Sequence, residues 1–534
     1  MDVTQNLLKV VKLIQFRQRV SLSYLNNSTN GCSSVGASHL PRRDESDVRK
    51  SKNSTSWNVE IKEQSYNRNY STSATTVHSI VQEIPEPRGV YIFGTLFSLL
   101  SSGGAEKLHE YVDKRHNELG PIYREQIGPV KAIFVNSPHE FRRIFRLEGP
   151  TPKHFIPEAW LLYNEVRKCQ RGLLFMDGKE WLDIRKILNK VMLASDATNL
   201  MHDSCEKVAK ELAEKWKKQI KCNNIISDLE TQLYQWSIEA MLATLMGSSW
   251  NRYKERVSDK FVELAKLLHK IFEYSARLSM LPAKLAMNLR LSSWNNFVFC
   301  VDTALEIVRI LVLEMIRLEG DGLLKKMLDE GIQEEDAVKI ITDFILAAGD
   351  TTAASIQWTL LLLSRHAECQ ERLFESINDL SPKELLRDPL LKGTIKEALR
   401  LYPIAPFITR YLPQDSTIGG YIVPKGELLL LSIYSSGRSA NNFPRPNEFL
   451  PERWIRTKEG NYQGVINPHA SLPFALGVRS CIGRKLAETQ MSLALAQLIK
   501  DFKIDCINKE RIQLILHLIS VPSEGIQLKL TPRF

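Results

Sequence analysis

The apolar positions of this chain fall into distinct periods. Leu7, Leu8, Val10, Val11, Leu13, Ile14 and Phe16 recur at helical spacing, with Lys9, Lys12, Arg17 and Arg19 set between and after them. Residues 26–80 are polar and are expected to be unfolded. Ordered structure is expected to start near Ile84-Pro85-Glu86-Pro87, where two prolines stiffen the entry. Ile122-Tyr123 and Ala132 to Val135, on either side of Gly128-Pro129, predict a β-hairpin. After Ser137-Pro138 the pattern becomes mainly helical. Residues 206–220, 229–246 and 255–272 read as helices, and a longer apolar helix ends near Leu363. Residues 278–290 read as an apolar loop carrying Lys284 and Arg290. Another apolar helical run opens at Arg484, and a final hairpin holds Ser520-Val521-Pro522. The expected class is mainly α with a smaller β region.

Composition narrows the function. Net charge is +10 and the pI about 9.0, which excludes an acidic disordered chain and points to an acidic partner or an anionic surface. Zinc-finger spacing and aromatic–basic RNA-binding signatures are absent, so nucleic acid is not the expected partner. The eight cysteines (32, 169, 205, 222, 300, 369, 481, 506) form no CxxC pairs. That is neither a disulfide scaffold nor a zinc site, and it fits a reducing compartment. The first forty residues are basic, amphipathic and Ser-rich, with Asp2 the only acid before Asp44. Mitochondrial transit peptides look like this, and Arg68-Asn69-Tyr70 resembles a matrix-protease cleavage site. No apolar run near the N-terminus approaches the roughly 18 residues of a membrane span.

The most specific chemistry lies at Phe474-Ala-Leu-Gly477-Val-Arg479-Ser-Cys481-Ile-Gly483. A thiolate is a soft metal ligand, and a neighbouring cation or helix N-terminus lowers its pKa. Cys481 is expected to have both. A single thiolate does not suit tetrahedral zinc, but it suits one axial bond to a haem iron. A lone cysteine in a glycine-rich loop is by default structural. Here the aromatic, the arginine, both glycines and the cysteine stand at fixed offsets. The stretch resembles the cysteine-ligand loop of the cytochrome P450 family.

That resemblance covers roughly residues 84–534, leaving 1–83 as a transit peptide and polar segment, and gives other motifs their meaning. Trp181 and Arg185, four apart on one helix face, resemble the family's pair for the haem propionates, as do Arg410 and Arg479. In Ala347-Ala348-Gly349-Asp350-Thr351, glycine and the Asp-Thr group interrupt a helical pattern, and a threonine bonded back to the preceding turn bends a helix. The stretch resembles the family's oxygen-activating helix, with Asp350 and Thr351 as proton donors. It departs in having Ala348 where glycine is typical, with Gly349 one residue late. Glu397 and Arg400, with Arg453 from Pro451-Glu452-Arg453-Trp454, resemble the family's scaffold network. Ile404, Ala405 and Phe407 are expected to touch substrate. In family terms Ser520-Val521-Pro522 is expected to join them.

Lys392, Lys396, Arg484 and Lys485 resemble the docking cations of mitochondrial members, which implies an acidic [2Fe-2S] ferredoxin as electron donor. The resemblance implies haem b ligated by Cys481, O2 as co-substrate and hydroxylation of a lipophilic molecule, plausibly a steroid. It implies the matrix side of the inner membrane, with peripheral membrane contact through residues 278–290. The wording of 347–352 and of Tyr421 to Leu429 is similar to insect mitochondrial members, including the ecdysteroid 2-hydroxylases. Two other classes stay open at this level: a haem-thiolate isomerase or dehydratase, and a non-enzymatic haem sensor or carrier.

Overall fold

The computed structural model describes residues 83–534, apart from 170, 171, 222, 223, 227 and 280. The expected N-terminal helix, transit peptide and cleavage site lie outside the described residues. The organising element is a central helix, Glu334–Arg365. Its first turn carries Glu334, Glu335 and Asp336 and its last turn Arg365, charges that suit the two ends of the helix dipole. Every residue from Thr352 to Leu363 is buried, as in a helix surrounded by protein on all sides. The hydroxyls of Ser355 and Thr359 avoid a desolvation cost by donating, at 2.7 Å each, to carbonyls four residues back.

Helices Leu229–Met246, Ser292–Arg317, Pro389–Leu401 and Arg484–Asp501 pack against the central helix and share its core. The helix expected over 229–246 has those bounds. The other two are longer than their patterns indicated, at Ser195–Ile220 and Trp250–Leu278. No glycine or proline interrupts 195–206 or 248–255, so nothing in the chain stops the helix there. The expected loop over 278–290 holds a short helix, Ala283–Asn288, begun by Pro282. Among the described residues, no helix is long and apolar enough to cross a membrane.

The β region lies to one side. Ile122–Ile127 and Val130–Val135 form the expected hairpin. The second of these strands pairs in parallel with Leu428–Ser432, which pairs antiparallel with Phe407–Tyr411. This sheet places Arg410, opposite Leu429, next to the cysteine loop. The closing hairpin, Leu514–His517 with Ile519–Pro522, holds Ser520 wholly buried. Ser520 Oγ donates to Pro403 O at 2.6 Å and its N–H to Ile404 O at 2.9 Å. Ser520 therefore fixes the expected substrate segment from behind.

The scaffold network forms as the sequence indicated. Pro389–Leu401 starts at Asp388, whose carboxylate caps Leu391 N at 2.6 Å. Three turns on, the Glu397 carboxylate accepts a bidentate pair from Arg400 at 2.8 and 2.9 Å and one bond from Arg453 Nε at 2.8 Å. Trp454 Nε1 adds a fourth bond at 2.8 Å, which the motif did not announce. All of these groups are buried. Removing the carboxylate strands two desolvated guanidiniums. Glu397→Ala is therefore expected to cost about 3–5 kcal/mol, seen as a lower urea midpoint for unfolding. An unchanged midpoint would show that the arginines are satisfied by backbone carbonyls alone.

Candidate functional site

Cys481 stands just ahead of helix Arg484–Asp501, and its N–H donates to Phe474 O at 3.0 Å, closing the loop on itself. Ala475 (φ 56°) and Gly477 (φ 80°) supply the left-handed turns that closure needs. The cysteine is accessible to solvent, yet its thiol pKa is raised, mainly by burial. The thiol thus lies in a cleft of the protein, not on its outer surface. The Gly483 N–H, Arg185 and Arg484 pull the pKa the other way and do not prevail. This corrects the expectation of a lowered thiol pKa. Desolvation outweighs the cations, and ionisation falls to a bound metal instead.

The predicted cofactor residues converge on the same loop. Trp181 and Arg185, both buried, lie on helix Gly178–Leu193. Arg185 Nη2 donates to Ser480 O at 2.7 Å, and the Arg479 guanidinium sits 4.8 Å from the Trp181 ring centre. Arg410 Nη2 reaches Leu476 O at 3.4 Å. Phe474 lies 5.6 Å from the Arg484 guanidinium.

Glu148 carries no signal in the sequence. Its buried carboxylate accepts from Arg410 Nε at 2.5 Å and from Val478 N at 2.8 Å. A Cβ at Gly477 would stand 1.9 Å from Glu148 Oε1, so this glycine makes room for a carboxylate as well as a turn. His154 was also missed. Its Nδ1 is buried without a partner, and burial, then Arg479 and Arg410, hold its pKa down to about 3. A lone glutamate and a histidine between loops carry no motif.

Just ahead of its fully buried run from Thr352, the central helix has a partly open stretch: Ala347 is exposed and Thr351 partly so. Thr351 Oγ1 donates to Ala347 O at 2.6 Å, as its sequence setting indicated. The helix is nevertheless continuous, which corrects the expected interruption. Gly349 is buried and turns toward Tyr234 of the flanking helix, where a Cβ would meet the ring at 2.7 Å. It serves close helix packing and not a groove, so the Ala348 departure is of small consequence for the cleft. Asp350 Oδ2 is enclosed and unpartnered, and burial, then Glu230, push the carboxyl pKa up to about 8. Asp350 is thus protonated at neutral pH, able to donate.

Of the expected substrate contacts, Ala405 is exposed, Phe407 half-buried and Ile404 buried. Of the expected docking cations, Lys392 and Arg484 are exposed. Lys396 is half-buried, donates to the Tyr462 hydroxyl at 3.2 Å and lies 5.7 Å from the Trp454 ring centre. Lys485 turns to Thr198 and Arg484 to Glu488, at 3.0 Å. The four do not form one free patch.

This donor set fits haem b. Arg185 and Arg410 are buried, and the Arg479 side chain is only 8% exposed. Glu148 pairs with Arg410, and Asp177, at the exposed rim of the cluster, pairs with Arg479 at 2.9 Å. Arg185 bonds Asn189 and the Ser480 carbonyl and meets no carboxylate among the described residues. A desolvated excess of guanidinium over carboxylate calls for anions, which the two propionates would supply. Cys481 would supply the thiolate ligand.

Comparison with known proteins agrees. The Cytochrome P450 family model matches residues 84–530. The chain is 38% identical over 473 residues to Cytochrome P450 315a1, mitochondrial, of Drosophila melanogaster, covering 84% of this chain and 88% of that one. It is 27% identical over 466 residues to 1,25-dihydroxyvitamin D(3) 24-hydroxylase, mitochondrial, of Rattus norvegicus, covering 85% and 90%. It is likewise 27% identical over 477 residues to the cholesterol side-chain cleavage enzyme, mitochondrial, of Oncorhynchus mykiss, covering 85% and 91%.

Gly477→Ala tests the Glu148 contact. The added methyl meets a buried carboxylate at a positive φ, a strain of about 1–3 kcal/mol before the clash is counted. Lower haem content on purification and a lower thermal midpoint are expected. Native haem content and midpoint would show that the loop yields.

Proposed function

The chain belongs to the cytochrome P450 family, and from that premise we propose that it hydroxylates a steroid in the mitochondrion with electrons from a ferredoxin. The family makes it a haem-thiolate monooxygenase using haem b. The observation that carries the reading is the cleft itself. A solvent-accessible thiol stands in a loop gripped by Arg185, Arg410 and Arg479, and the central helix leaves Thr351 partly open with the protonated Asp350 beside it.

The reaction converts R–H and O2 to R–OH and water, consuming two electrons and two protons. Haem bound at Cys481 supplies O2 activation. The chain supplies the rest. Arg185, Arg410 and Arg479, with Trp181, would hold the propionates and so set the tilt of the ring. Ala405 and Phe407 would present the substrate, with Ile404 behind them. Asp350 is the proton store, and Thr351 passes a proton into the cleft, where its hydroxyl is held by Ala347 O. A neutral carboxyl can be desolvated beside an apolar substrate at far smaller cost than a charged one.

The location is supported by relatives named as mitochondrial and by the acid-poor, basic N-terminal composition. The matrix side of the inner membrane is part of the proposal. Lys392 and Arg484 are the exposed cations offered to an acidic ferredoxin, with Lys396 packed behind them on Tyr462. Helix Ala283–Asn288 and its neighbour Leu289, with exposed Lys284 and Arg290, offer a peripheral membrane contact. Within the steroids we place the substrate among ecdysteroids, oxidised at C2. The similarity of residues 347–352 and 421–429 to insect mitochondrial members supports this, as does 38% identity to an insect protein.

Reconstitution with ferredoxin, its reductase and 2-deoxyecdysone is expected to give ecdysone in an O2- and reductant-dependent reaction. Absence of ecdysone would overturn the substrate, and conversion without reductant would favour an isomerase. Turnover is further expected to decline as pH rises through about 8. There the Asp350 proton, held above the ordinary carboxyl range, is lost. In Asp350→Asn the rate is expected to be about 10²-fold lower and the decline absent. A native pH profile in that variant would remove Asp350 from the relay.

A further inference from the structure

A donor that gives up a proton in every cycle must be recharged, and Thr351 opens on the cleft, not on bulk water. On the other side of Asp350 the central helix packs on Leu229–Met246. Ser237 Oγ donates across that contact to Ala348 O at 2.9 Å, and Gln490 Nε2, from helix Arg484–Asp501, donates to Ser237 O at 2.9 Å. Gly349 lets Tyr234 approach so closely that a Cβ would stand 2.8 Å from the phenol oxygen. That hydroxyl is buried without a hydrogen-bond partner, and so is Asp350 Oδ2. Two unpaired polar atoms on facing helices each carry a desolvation cost, which a hydrogen bond between them would remove.

Tyr234 feels Asp350, and Asp350 feels Glu230. Burial, then the Asp350 carboxylate, raises the Tyr234 pKa well above its ordinary value. After burial itself, Glu230 is the charged group that raises Asp350. Glu230 lies four residues before Tyr234, on the same face of the same helix. Its side chain is 50% exposed, and its Oε1 lies 3.5 Å from His269 Nδ1, itself 44% exposed. His269, Glu230, Tyr234, Asp350 and Thr351 therefore lead from solvent to the cleft.

We propose that Glu230 and Tyr234 form the proton-entry route that recharges Asp350 from solvent. The route rests on the reading of Asp350 and Thr351 as proton donors. Asp350 gives its carboxyl proton toward Thr351. The Glu230 carboxylate takes a proton from water or His269 and hands it to the phenol oxygen as the Tyr234 O–H proton passes to the Asp350 carboxylate. Ionising Tyr234 is strongly disfavoured, so the phenol gives and takes in concert and no tyrosinate forms. Two passes supply the two protons used per oxygen atom inserted, while the ferredoxin supplies the electrons. Tyr234 and Glu230 act through Asp350 and are positioning residues.

Tyr234→Phe keeps the ring against Gly349 and removes only the hydroxyl. Native haem content and a native reduced-CO spectrum are expected, showing an intact fold. Turnover is expected to fall about tenfold, less than for loss of the donor itself. A larger share of electrons should be lost as peroxide, with a larger solvent isotope effect. The infrared C=O band of the Asp350 acid, identified by its loss in Asp350→Asn, should shift up as it loses a hydrogen bond. Glu230→Gln should raise the isotope effect and leave that band in place. Native turnover, coupling and isotope effect in Tyr234→Phe, with an unmoved band, would overturn the route alone. Failure of the native protein to show reductant-dependent turnover would overturn the monooxygenase reading and the route with it.

Discussion

Desolvation of charge is the constraint from which the rest of this structure follows. Around the cysteine loop the chain draws in Arg185, Arg410 and Arg479 with one buried carboxylate, Glu148, and beside them a thiol whose ionisation burial opposes. Neither condition is comfortable alone. Haem would relieve both: its iron would favour the thiolate, and its propionates would meet the guanidiniums. The scaffold around them is built to withstand that arrangement. Glu397 ties Pro389–Leu401 to the segment before the loop, and Glu148 ties Arg410 to Val478 within it. The same physics, a carboxylate shared by buried donors, fixes the cofactor floor from two directions.

On the opposite wall the same constraint acts with the opposite result. Asp350 has no cation beside it, so burial keeps it neutral where Glu148 and Glu397 each meet arginines. A neutral carboxyl next to a cleft-facing threonine is a store of protons in an apolar setting. Fold and chemistry are thus linked through which carboxylates are paired and which are not.

Much of this was legible in the chain. The hairpin at 122–135, the Glu397 network and the convergence of Trp181, Arg185, Arg410 and Arg479 on Cys481 all carry signals at fixed spacing. They depend on local geometry or on motifs several residues wide. What could not be read depends on contacts across the fold. Glu148 stands more than three hundred residues from the loop it holds, and nothing near it in sequence sets it apart. The Gly349 reading went astray for the same reason. A glycine in a helix announces an absent side chain, but only the neighbouring helix shows that Tyr234 fills the space. The docking cations were expected from their resemblance to those of mitochondrial members, yet Lys396 and Lys485 are engaged by Tyr462 and Thr198, contacts that only the fold reveals. The thiol pKa was misjudged because cations are visible in sequence and burial is not.

The central claim is that Cys481 is the axial thiolate in a cleft built for haem. The most direct measurement is the absorption spectrum of the purified, dithionite-reduced protein under carbon monoxide, compared with Cys481→His. The account predicts a strongly red-shifted Soret band in the native protein and its loss in the variant. A native spectrum typical of histidine ligation, or a red-shifted band that survives in Cys481→His, would contradict it.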